Sequence, residues 1–340
     1  MASVATEKPM SQGMGGWLDF ERPLVELEQK IAELRDFADG ERLEFRDELH
    51  RLESKADKLR TEIFSRLTRW QRVQLARHPR RPYTLDYLQV LVDGFLELCG
   101  DRNFGDDRAI VAGVGEFRSR KALFVGHQKG RDIKEKLERN FGMPHPEGYR
   151  KSLRLMELAG RFGRPILTFI DTQGAYPGVG AEERGQSEAI ARSLFVMARL
   201  PVPIVGVVIG EGGSGGALAL GVCDRIYMME NAVYSVISPE GCAAILWGDR
   251  SHAKEAADSL RLAASDILEL GVIDGVIPEP PGGAHRDPAA AADLVGEQLE
   301  AALAELSALS PDQLVSQRLD KFLRMGRFVE PAVGRRSGDS

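Results

Sequence analysis

The sequence has few cysteines, and none of them stands in a C-x-x-C pair. Cys99, Cys223 and Cys242 are too few and too scattered along 340 residues for a zinc knuckle or a disulfide framework. This pattern predicts that all three are small core residues. It also predicts that the chain holds no metal.

Long apolar runs and an excess of positive charge are absent as well. No segment approaches the ~18 apolar residues that cross a bilayer, and the N-terminal MASVATEKPMSQGMGG lacks the hydrophobic stretch of a secretion signal. The net charge of −6 argues against general nucleic-acid binding, because a phosphate backbone attracts clustered cations. We therefore expect a cytoplasmic protein that binds neither membrane nor nucleic acid. Its length allows one large domain with an appendage.

Glycine, in contrast, is concentrated in the stretch VGVVIGEGGSGGALA between Val205 and Ala219. A β-branched run leads into a glycine loop and then into helix-compatible residues, which predicts a strand, a loop and a helix that begins near Gly216. Residues without a Cβ let a substrate approach the main chain, and free N–H groups at a helix start favour negative charge. The loop is therefore predicted to bind an anion or an oxygen that is becoming one. Its glycines are Gly210, Gly212, Gly213, Gly215 and Gly216.

Three known loop motifs partly match this stretch. A phosphate-binding Walker loop needs Lys and then Ser or Thr where Ala217-Leu218 stands, and the G-x-G-x-x-G spacing from Gly210 to Gly215 opens no early βαβ unit. A G-x-S-x-G nucleophile elbow centred on Ser214 is formally present. The alternative is a small polar loop residue, which is favoured because glycine-rich loops match that motif easily. A serine hydrolase that uses Ser214 stays open as the alternative function, although no histidine stands in a recognisable triad setting.

A second segment repeats the same order of elements. The buried-strand pattern PILTFI is followed by the loop DTQGAYPGVG from Asp171 to Gly180 and then by a helix-like segment. Parallel strands place the loops at their carboxyl ends side by side. The two glycine loops are therefore expected to form one site.

In the N-terminal part, apolar residues recur at helical spacing, with a break at Ala38-Asp39-Gly40. This pattern predicts a helical hairpin. Its two arms cover part of the apolar stripe, and the main domain or a partner is expected to cover the rest. An assembly scaffold built on this hairpin is a third class of function, but it leaves the glycine loops unexplained. Further along, we predict a helix over Leu85–Cys99, a β-hairpin, two short strands after Ile226 and an alanine-rich helix over Pro288–Leu306. The tail after Val333 is predicted to be disordered. The apolar positions are Leu24, Leu27, Ile31 and Leu34, then Phe45, Leu49, Leu52, Ala56, Leu59 and Ile63.

Charged residues near the loops allow two interpretations each. The Arg77–Arg81 cluster either faces a phosphorylated ligand or is a solvated face, whereas acidic residues interleave with the cations from Lys129 to Arg139, which favours a solvated helix. Glu240 is the best carboxylate for acid–base work. Ser238-Pro239-Glu240 is also an ordinary helix start, which is the favoured interpretation.

Six strings along the chain are specific enough to compare with known families. They are RHPRRPYTLDY (Arg77–Tyr87), GHQKGR (Gly126–Arg131), NFGMPHPEGYRK (Asn140–Lys151), GAYPGVGAEERGQSEAIAR (Gly174–Arg192), GEGGSGGALALGV (Gly210–Val222) and YSVISPEGCAAILW (Tyr234–Trp247). Together they resemble the α subunit of the carboxyltransferase component of bacterial-type, multi-subunit acetyl-CoA carboxylase, from about Pro23 to about Pro331. Gln173 departs from the family, which usually has proline there, so an extra N–H and a freer φ enter the first glycine loop.

The resemblance implies a fold and an activity. The fold is a crotonase-like spiral of ββα units with an N-terminal helical hairpin, where periodicity alone indicates only α/β with mostly parallel strands. The implied activity transfers the carboxyl group from carboxybiotin to acetyl-CoA and yields malonyl-CoA, the first committed step of fatty acid synthesis. Backbone N–H groups serve as oxyanion holes in this fold. Gly215 and Gly216 match the pair that faces biotin, and no protein nucleophile or base is needed.

Further residues and partners follow from the same resemblance. The implied partners are a zinc-ribbon β subunit in an α2β2 heterotetramer, the biotin carboxyl carrier protein and biotin carboxylase. The implied division of the chain is a flexible N-terminus (1–22), the hairpin (23–75), the carboxyltransferase domain (76–310) and a C-terminal helix with a disordered tail (311–340). Substrate-binding positions are Gly212, Gly213, Gly174, Ala175, Tyr176 and Gly178, with Lys129, Arg131 and Glu240 as further candidates.

Overall fold

A computed structural model describes residues 16–38 and 43–326, and side chains 37, 38 and 43–45 are not described. Several regions named in the sequence analysis lie outside this description. They are residues 1–15, the predicted hairpin break at Asp39-Gly40, the Phe45 side chain and the tail after Val333. Within the described ranges, no helix has both the length and the apolar composition needed to cross a bilayer. The helices are α1 (Arg22–Ala38), α2 (Leu43–Ser65), α3 (Arg69–Ala76), α4 (Thr84–Leu91), α5 (Ile133–Glu138), α6 (Pro146–Arg161), α7 (Val179–Glu183), α8 (Gln186–Met197), α9 (Ser214–Leu218), α10 (Pro239–Trp247), α11 (Ala253–Leu260), α12 (Ala264–Glu269), α13 (Pro288–Leu306) and α14 (Pro311–Leu323).

One eight-stranded sheet organises the chain, in the order β1-β2-β3-β4-β5-β6-β8, with β7 paired to the end of β5. The first three strands are antiparallel, and every pairing from β3 onward is parallel. Helices cover the parallel part, so all of β4 and nearly all of β5 are buried. The strands are β1 (Asp93–Glu97), β2 (Ile110–Phe117), β3 (Arg120–His127), β4 (Ile166–Thr172), β5 (Ile204–Gly213), β6 (Arg225–Met229), β7 (Val233–Ser235) and β8 (Gly275–Ile277).

Two predictions from the sequence are wrong at the edge of this sheet. The helix predicted over Leu85–Cys99 ends at Leu91, and β1 follows it as an edge strand paired with β2. Gly94 has a φ of +59°, which an α-helix does not accommodate, so pairing with β2 decides the conformation. Cys99, just beyond this edge strand, is exposed rather than in the core.

The N-terminal hairpin packs α1 against α2 through a small apolar cluster, in which Leu24, Leu27, Ile31 and Ala56 are buried. Further apolar side chains of α2 cover this cluster from its flanks, so the two arms bury much of their own stripe. The hairpin therefore has a core of its own beside the main domain.

A buried polar junction joins this hairpin to the main domain. The Glu21 carboxylate lies 2.9 Å from Nε2 of His285, and Arg286 reaches Glu28 of α1 at 2.9 Å. The His78 ring lies against the His285 ring, tilted by 37°, with a centroid separation of 4.0 Å. Glu21, His78 and His285 form the one Glu/His group among the described residues whose possible ligand atoms all lie within 4.8 Å. The Arg286 guanidinium, 3.4 Å from the same carboxylate, opposes a cation there.

Candidate active site

The two glycine loops meet at the carboxyl ends of β4 and β5. After a local irregularity, Thr172 of β4 pairs with Gly212 of β5. A Cβ added to Gly213 would lie 2.1 Å from the carbonyl oxygen of Gln173. One added to Gly216 would lie 2.5 Å from the carbonyl carbon of Gly174. Because real side chains do not fit at these separations, glycine is required for the two backbones to touch.

The helix α9 begins within the second loop, at Ser214 rather than near Gly216. The N–H groups of its first residues have no acceptor within the helix. A Cβ on Gly215 would meet only the Ile190 side chain, at 3.6 Å, which is ordinary contact. Gly215 therefore lies on an open side of the loop, whereas Gly216 is closed in by the first loop.

Two other predicted site glycines are in close contact with aromatic side chains. A Cβ on Gly212 would lie 2.7 Å from the Tyr234 ring, and one on Gly178 would lie 2.4 Å from the Tyr176 ring. The Tyr176 ring in turn packs against the His145 ring, tilted by 32°, at a centroid distance of 4.0 Å. These two glycines make room for aromatic rings, so close packing is sufficient to explain their presence.

Two main-chain donors of the first loop are already engaged by protein acceptors. The Gly174 N–H donates to Oγ1 of Thr172 at 3.1 Å, and the Tyr176 N–H donates to the Pro144 carbonyl at 3.0 Å. In the described part of the chain, the Ala175 N–H has no acceptor. Of the four predicted binding residues of this loop, Ala175 and Gly178 thus keep free main-chain donors within the described ranges, and the Ala175 donor lies beside Gly216.

A buried charge network lies behind the loops. Nζ of Lys129 lies 2.7 Å from Asp171 at the end of β4 and 2.8 Å from Glu211 at the end of β5. The Asp171 carboxylate also accepts the Glu211 main-chain N–H at 2.9 Å. Burial opposes the charge on Glu211, but the Lys129 and Arg77 cations outweigh it and lower its pKa to about 2. The same carboxylates hold the pKa of Lys129 above its usual range despite burial. Lys129 is therefore charged and ties the two loop-bearing strands together.

Arg77 extends this network to the helix after β7. Its guanidinium bonds Glu211 at 2.6 Å and Glu240 at 2.5 Å. Glu240 stands in the first turn of α10, where Ser238 caps the helix by accepting the Gly241 N–H. Glu240 thus has the surroundings of an ordinary helix start. Arg77 holds its carboxylate, so this group is not free for acid–base work.

Arg131 is also held by protein groups. It donates to the carbonyls of Pro79 and Arg81, pairs with Asp86 and lies 4.0 Å from the centre of the Tyr83 ring. Its side chain is 40% exposed, so it borders the site as an anchored cation.

Two clefts open beside the loops and share Arg77, Gln173 and Glu211 in their walls. The larger has a volume of about 240 Å³, and Lys129, Arg131 and Lys136 also line it. The smaller, of about 30 Å³, runs along Gly212 and Gly213 towards α10. Within the described ranges, Lys136 is the lining cation without a carboxylate partner. The larger cleft therefore suits a ligand that carries negative charge.

Ser214 is exposed at the tip of the second loop, with a φ of +52°. No histidine in the described ranges hydrogen-bonds to its hydroxyl, so a hydrolytic triad is not formed there. His127, near the carboxyl ends of the strands, is fully buried, and burial lowers its pKa to about 3. Its Nδ1 accepts the Asp171 N–H at 3.4 Å, which occupies the atom that a base needs. The hydrolase alternative finds no support.

Sequence reasoning did not single out Asp171 and Glu211 as site residues. The available signal was their position, since each carboxylate stands where a strongly apolar strand meets a glycine loop. Their shared partner Lys129 lies on a separate strand end, so the network itself could not be identified before the strands were paired.

Comparisons with known proteins agree on one family. The family model described as acetyl co-enzyme A carboxylase carboxyltransferase-like matches residues 17–326. Acetyl-coenzyme A carboxylase carboxyl transferase subunit alpha of Geobacter metallireducens is 58% identical over 313 residues, which cover 92% of this chain and 98% of that protein. The subunit of the same name from Listeria innocua is 55% identical over 315 residues, covering 93% of this chain and 99% of that protein.

Solved structures match the fold at low sequence identity. A Pseudomonas malonate decarboxylase hetero-tetramer in complex with coenzyme A gives a TM-score of 0.56 at 19% identity, over 71% of this chain and 92% of that one. Transcarboxylase 12S with methylmalonyl-coenzyme A and methylmalonic acid bound gives 0.53 at 19% identity, over 75% of this chain and 43% of that one. The predicted crotonase-like fold is confirmed. This chain belongs to the acetyl co-enzyme A carboxylase carboxyltransferase-like family.

Proposed function

We propose that this chain is the α subunit of an acetyl-CoA carboxylase carboxyltransferase, and that it transfers a carboxyl group between biotin and acetyl-CoA together with a β subunit. The observation that carries the proposal is the backbone contact between the two glycine loops beside a cationic cleft. Membership of the family indicates which ligands and which reaction this geometry serves. Carboxybiotin, when bound, supplies the carboxyl group.

Gly215 and Gly216 hold the ureido oxygen of biotin through their main-chain N–H groups. Donors already aimed at the place where negative charge develops need no reorganisation during reaction, and losing one such donor typically costs ~3–4 kcal/mol. The free Ala175 N–H of the first loop adds a third donor at the same edge. The open side at Gly215 leaves space for the ligand to approach.

The network of Lys129, Asp171, Glu211 and Arg77 positions these donors. It joins the strand ends that carry the two loops, so the distance between the loops depends on buried ion pairs rather than on the loops themselves. Lys136 has no carboxylate partner in the described ranges, and its charge favours the negatively charged carboxylated ligand in the larger cleft. In this assignment Lys129 is a positioning residue and Lys136 a ligand-facing one.

The β subunit docks over the open side of the site. Exposed apolar side chains follow the strands that build it, namely Val179 at the start of α7, Leu218 on α9 and Val236 after β7. Such residues mark protein interfaces when they border a functional cleft. We assign this edge to the β subunit, within an α2β2 heterotetramer that receives carboxybiotin on a carrier protein.

The division of labour is tested by reconstitution. The purified chain and a β subunit are assayed separately and together for malonyl-CoA-dependent carboxylation of free biotin. Activity is expected only in the mixture, because one of the two oxyanion sites belongs to each subunit. Robust turnover by this chain alone would overturn the proposal.

The docking edge is tested in the same system. Val236→Glu is expected to weaken assembly with the β subunit, since it places a charge in an apolar contact, while the variant chain stays folded. Leu323→Glu is the matched control, because Leu323 is exposed at the end of α14. If both variants associate equally with the β subunit, as measured by sedimentation, this edge is not the interface.

A further inference from the structure

Gln173 occupies a distinctive place between the two clefts. Its side chain is exposed, and it lines both clefts together with Arg77 and Glu211. Arg77 and Glu211 satisfy each other through a 2.6 Å ion pair. The Gln173 amide, in contrast, has no hydrogen-bond partner among residues 16–38 and 43–326. It is the neutral polar group that both clefts present to a ligand.

The backbone of Gln173 fixes where this amide begins. Its carbonyl oxygen touches Gly213, and the next residue, Gly174, touches Gly216. The side chain therefore leaves the main chain directly beside the loop whose N–H groups we assign to the ureido oxygen. This inference rests on the proposed function for the identity of that ligand.

The chemistry of a primary amide matches a cyclic urea. Gln173 offers one carbonyl acceptor and two N–H donors, and a ureido ring offers N–H donors on either side of a carbonyl oxygen. A neutral amide also leaves the neighbouring ion pairs undisturbed, whereas a charged side chain there would compete for Arg77 or Glu211.

We propose that Gln173 is a specificity-determining contact for the ureido ring. Its Oε1 accepts from the ring nitrogen that is not carboxylated, and its Nε2 donates to the ureido oxygen alongside the glycine N–H groups. These two bonds distinguish a urea from rings of the same shape with other heteroatoms.

The first test separates biotin binding from malonyl-CoA binding in the complex of this chain with its β subunit. Gln173→Ala removes both hydrogen bonds and is expected to raise KM for free biotin about five- to 150-fold, the range for two neutral hydrogen bonds, with KM for malonyl-CoA unchanged. Gln29→Ala is the matched control, because Gln29 is an exposed glutamine of α1 without a hydrogen bond among the described residues. It is expected to leave every constant at the value of the unsubstituted complex.

The second test exchanges the ligand instead of removing the contact. In 2-iminobiotin a cationic guanidinium replaces the ureido group, so the Gln173 N–H groups meet donors rather than an oxygen. Gln173→Glu is expected to weaken the binding of biotin. It is also expected to lower the inhibition constant of 2-iminobiotin, because a carboxylate pairs with the guanidinium. Because a carboxylate at this position also competes for Arg77, the deciding result is the opposite change for the two ligands, weaker biotin and tighter 2-iminobiotin binding. Gln173→Glu keeps the size of the side chain, so this comparison is available even if the alanine variant fails to assemble.

The outcomes separate the two proposals. If the complex without substitutions does not carboxylate biotin, the proposed function is wrong. If it does, but neither variant changes the KM of biotin or the preference for 2-iminobiotin, Gln173 does not contact the ring and the inference is overturned.

Discussion

The glycine-loop site and the hairpin junction both bury charged side chains, but they use them differently. At the junction, the side chains of Glu21, Glu28, His285 and Arg286 bond directly to one another and hold two parts of the chain together. At the site, the ion pairs of Lys129 lie behind the loops, and the surface in front is bare main chain. The junction is thus built for attachment, whereas the site is built to present N–H groups at a set distance.

The difference has an energetic consequence. A buried cation between two carboxylates cannot be removed without leaving unpaired charge. A substitution behind the loops should therefore affect both stability and activity. A change of Glu21, Glu28, His285 or Arg286 should affect mainly stability, since none of these junction side chains lines either cleft.

The largest effect is expected for Lys129→Met. The change leaves Asp171 and Glu211 buried without their shared cation, and breaking such a pair from one side typically costs ~3–5 kcal/mol. Carboxyl transfer should fall as well, because the two loop-bearing strands lose their common partner. Urea denaturation and the biotin assay measure the two quantities. Lys134→Met, an exposed lysine of α5, is the control, and an equal loss in both variants would contradict the positioning role.

Adjacent glycines give the next contrast. Gly216→Ala puts a Cβ 2.5 Å from the Gly174 carbonyl carbon, so we expect it to cost ~1–3 kcal/mol of stability and to lower activity about 100-fold. Gly215→Ala meets only Ile190 at 3.6 Å and should fold as well as the unsubstituted chain. Any loss of activity in Gly215→Ala therefore measures only how far the added methyl group hinders the approach of the ligand. Identical thermal unfolding of both variants would show that the loops do not touch as described.

Acid should weaken the junction first. Burial and the neighbouring His285 lower the pKa of His78 to about 3, so His78 is neutral when folded and takes up a proton when unfolded. Between pH about 6.5 and 3 the unfolded chain thus binds more protons than the folded chain. The free energy of unfolding therefore decreases as the pH is lowered through this range, by at most ~1.4 kcal/mol per pH unit from this group. Denaturation at pH 7, 6 and 5 measures the slope. His78→Asn should flatten it, whereas the exposed His50→Asn should not.

The Glu211 carboxylate contributes in a separate and more acidic window. Its pKa is lowered to about 2 by Lys129 and Arg77, so its contribution to stability is present above pH ~4.5 and is lost as the pH falls towards 2. Glu21 and Glu279 also have lowered pKa values, so the slope is assigned by substitution: in the His78→Asn background, Glu211→Gln should reduce the slope below pH 4, and an unchanged slope would contradict this contribution.

The smallest effect is expected for Ser214→Ala. Because the hydroxyl is assigned no step, carboxyl transfer should stay within about tenfold, or ~1.4 kcal/mol. Ser214→Gly is the companion variant, since a φ of +52° favours glycine and its stability should rise. Loss of nearly all activity in the alanine variant would restore Ser214 to the chemistry.

Local features of the chain determined a large part of this molecule. The apolar spacing of the N-terminal residues, the two strand–glycine–helix segments and the helix from Pro288 to Leu306 all depend on neighbours within a few positions. Such patterns indicate elements and place both loops at strand ends. The family strings added the fold class, which periodicity alone left at α/β with mostly parallel strands.

Only the tertiary structure decided how the site is held together. Gly213 and Gly216 are required by another backbone, Gly212 and Gly178 by aromatic rings, and Lys129 by two carboxylates. The edge strand β1 replaced a predicted helix for the same reason, because its partner β2 lies elsewhere in the chain. The network joins residues from 40 to 134 positions apart, and no local pattern records such a separation. Close contact and burial set the roles of these residues, and both exist only once the strands have paired.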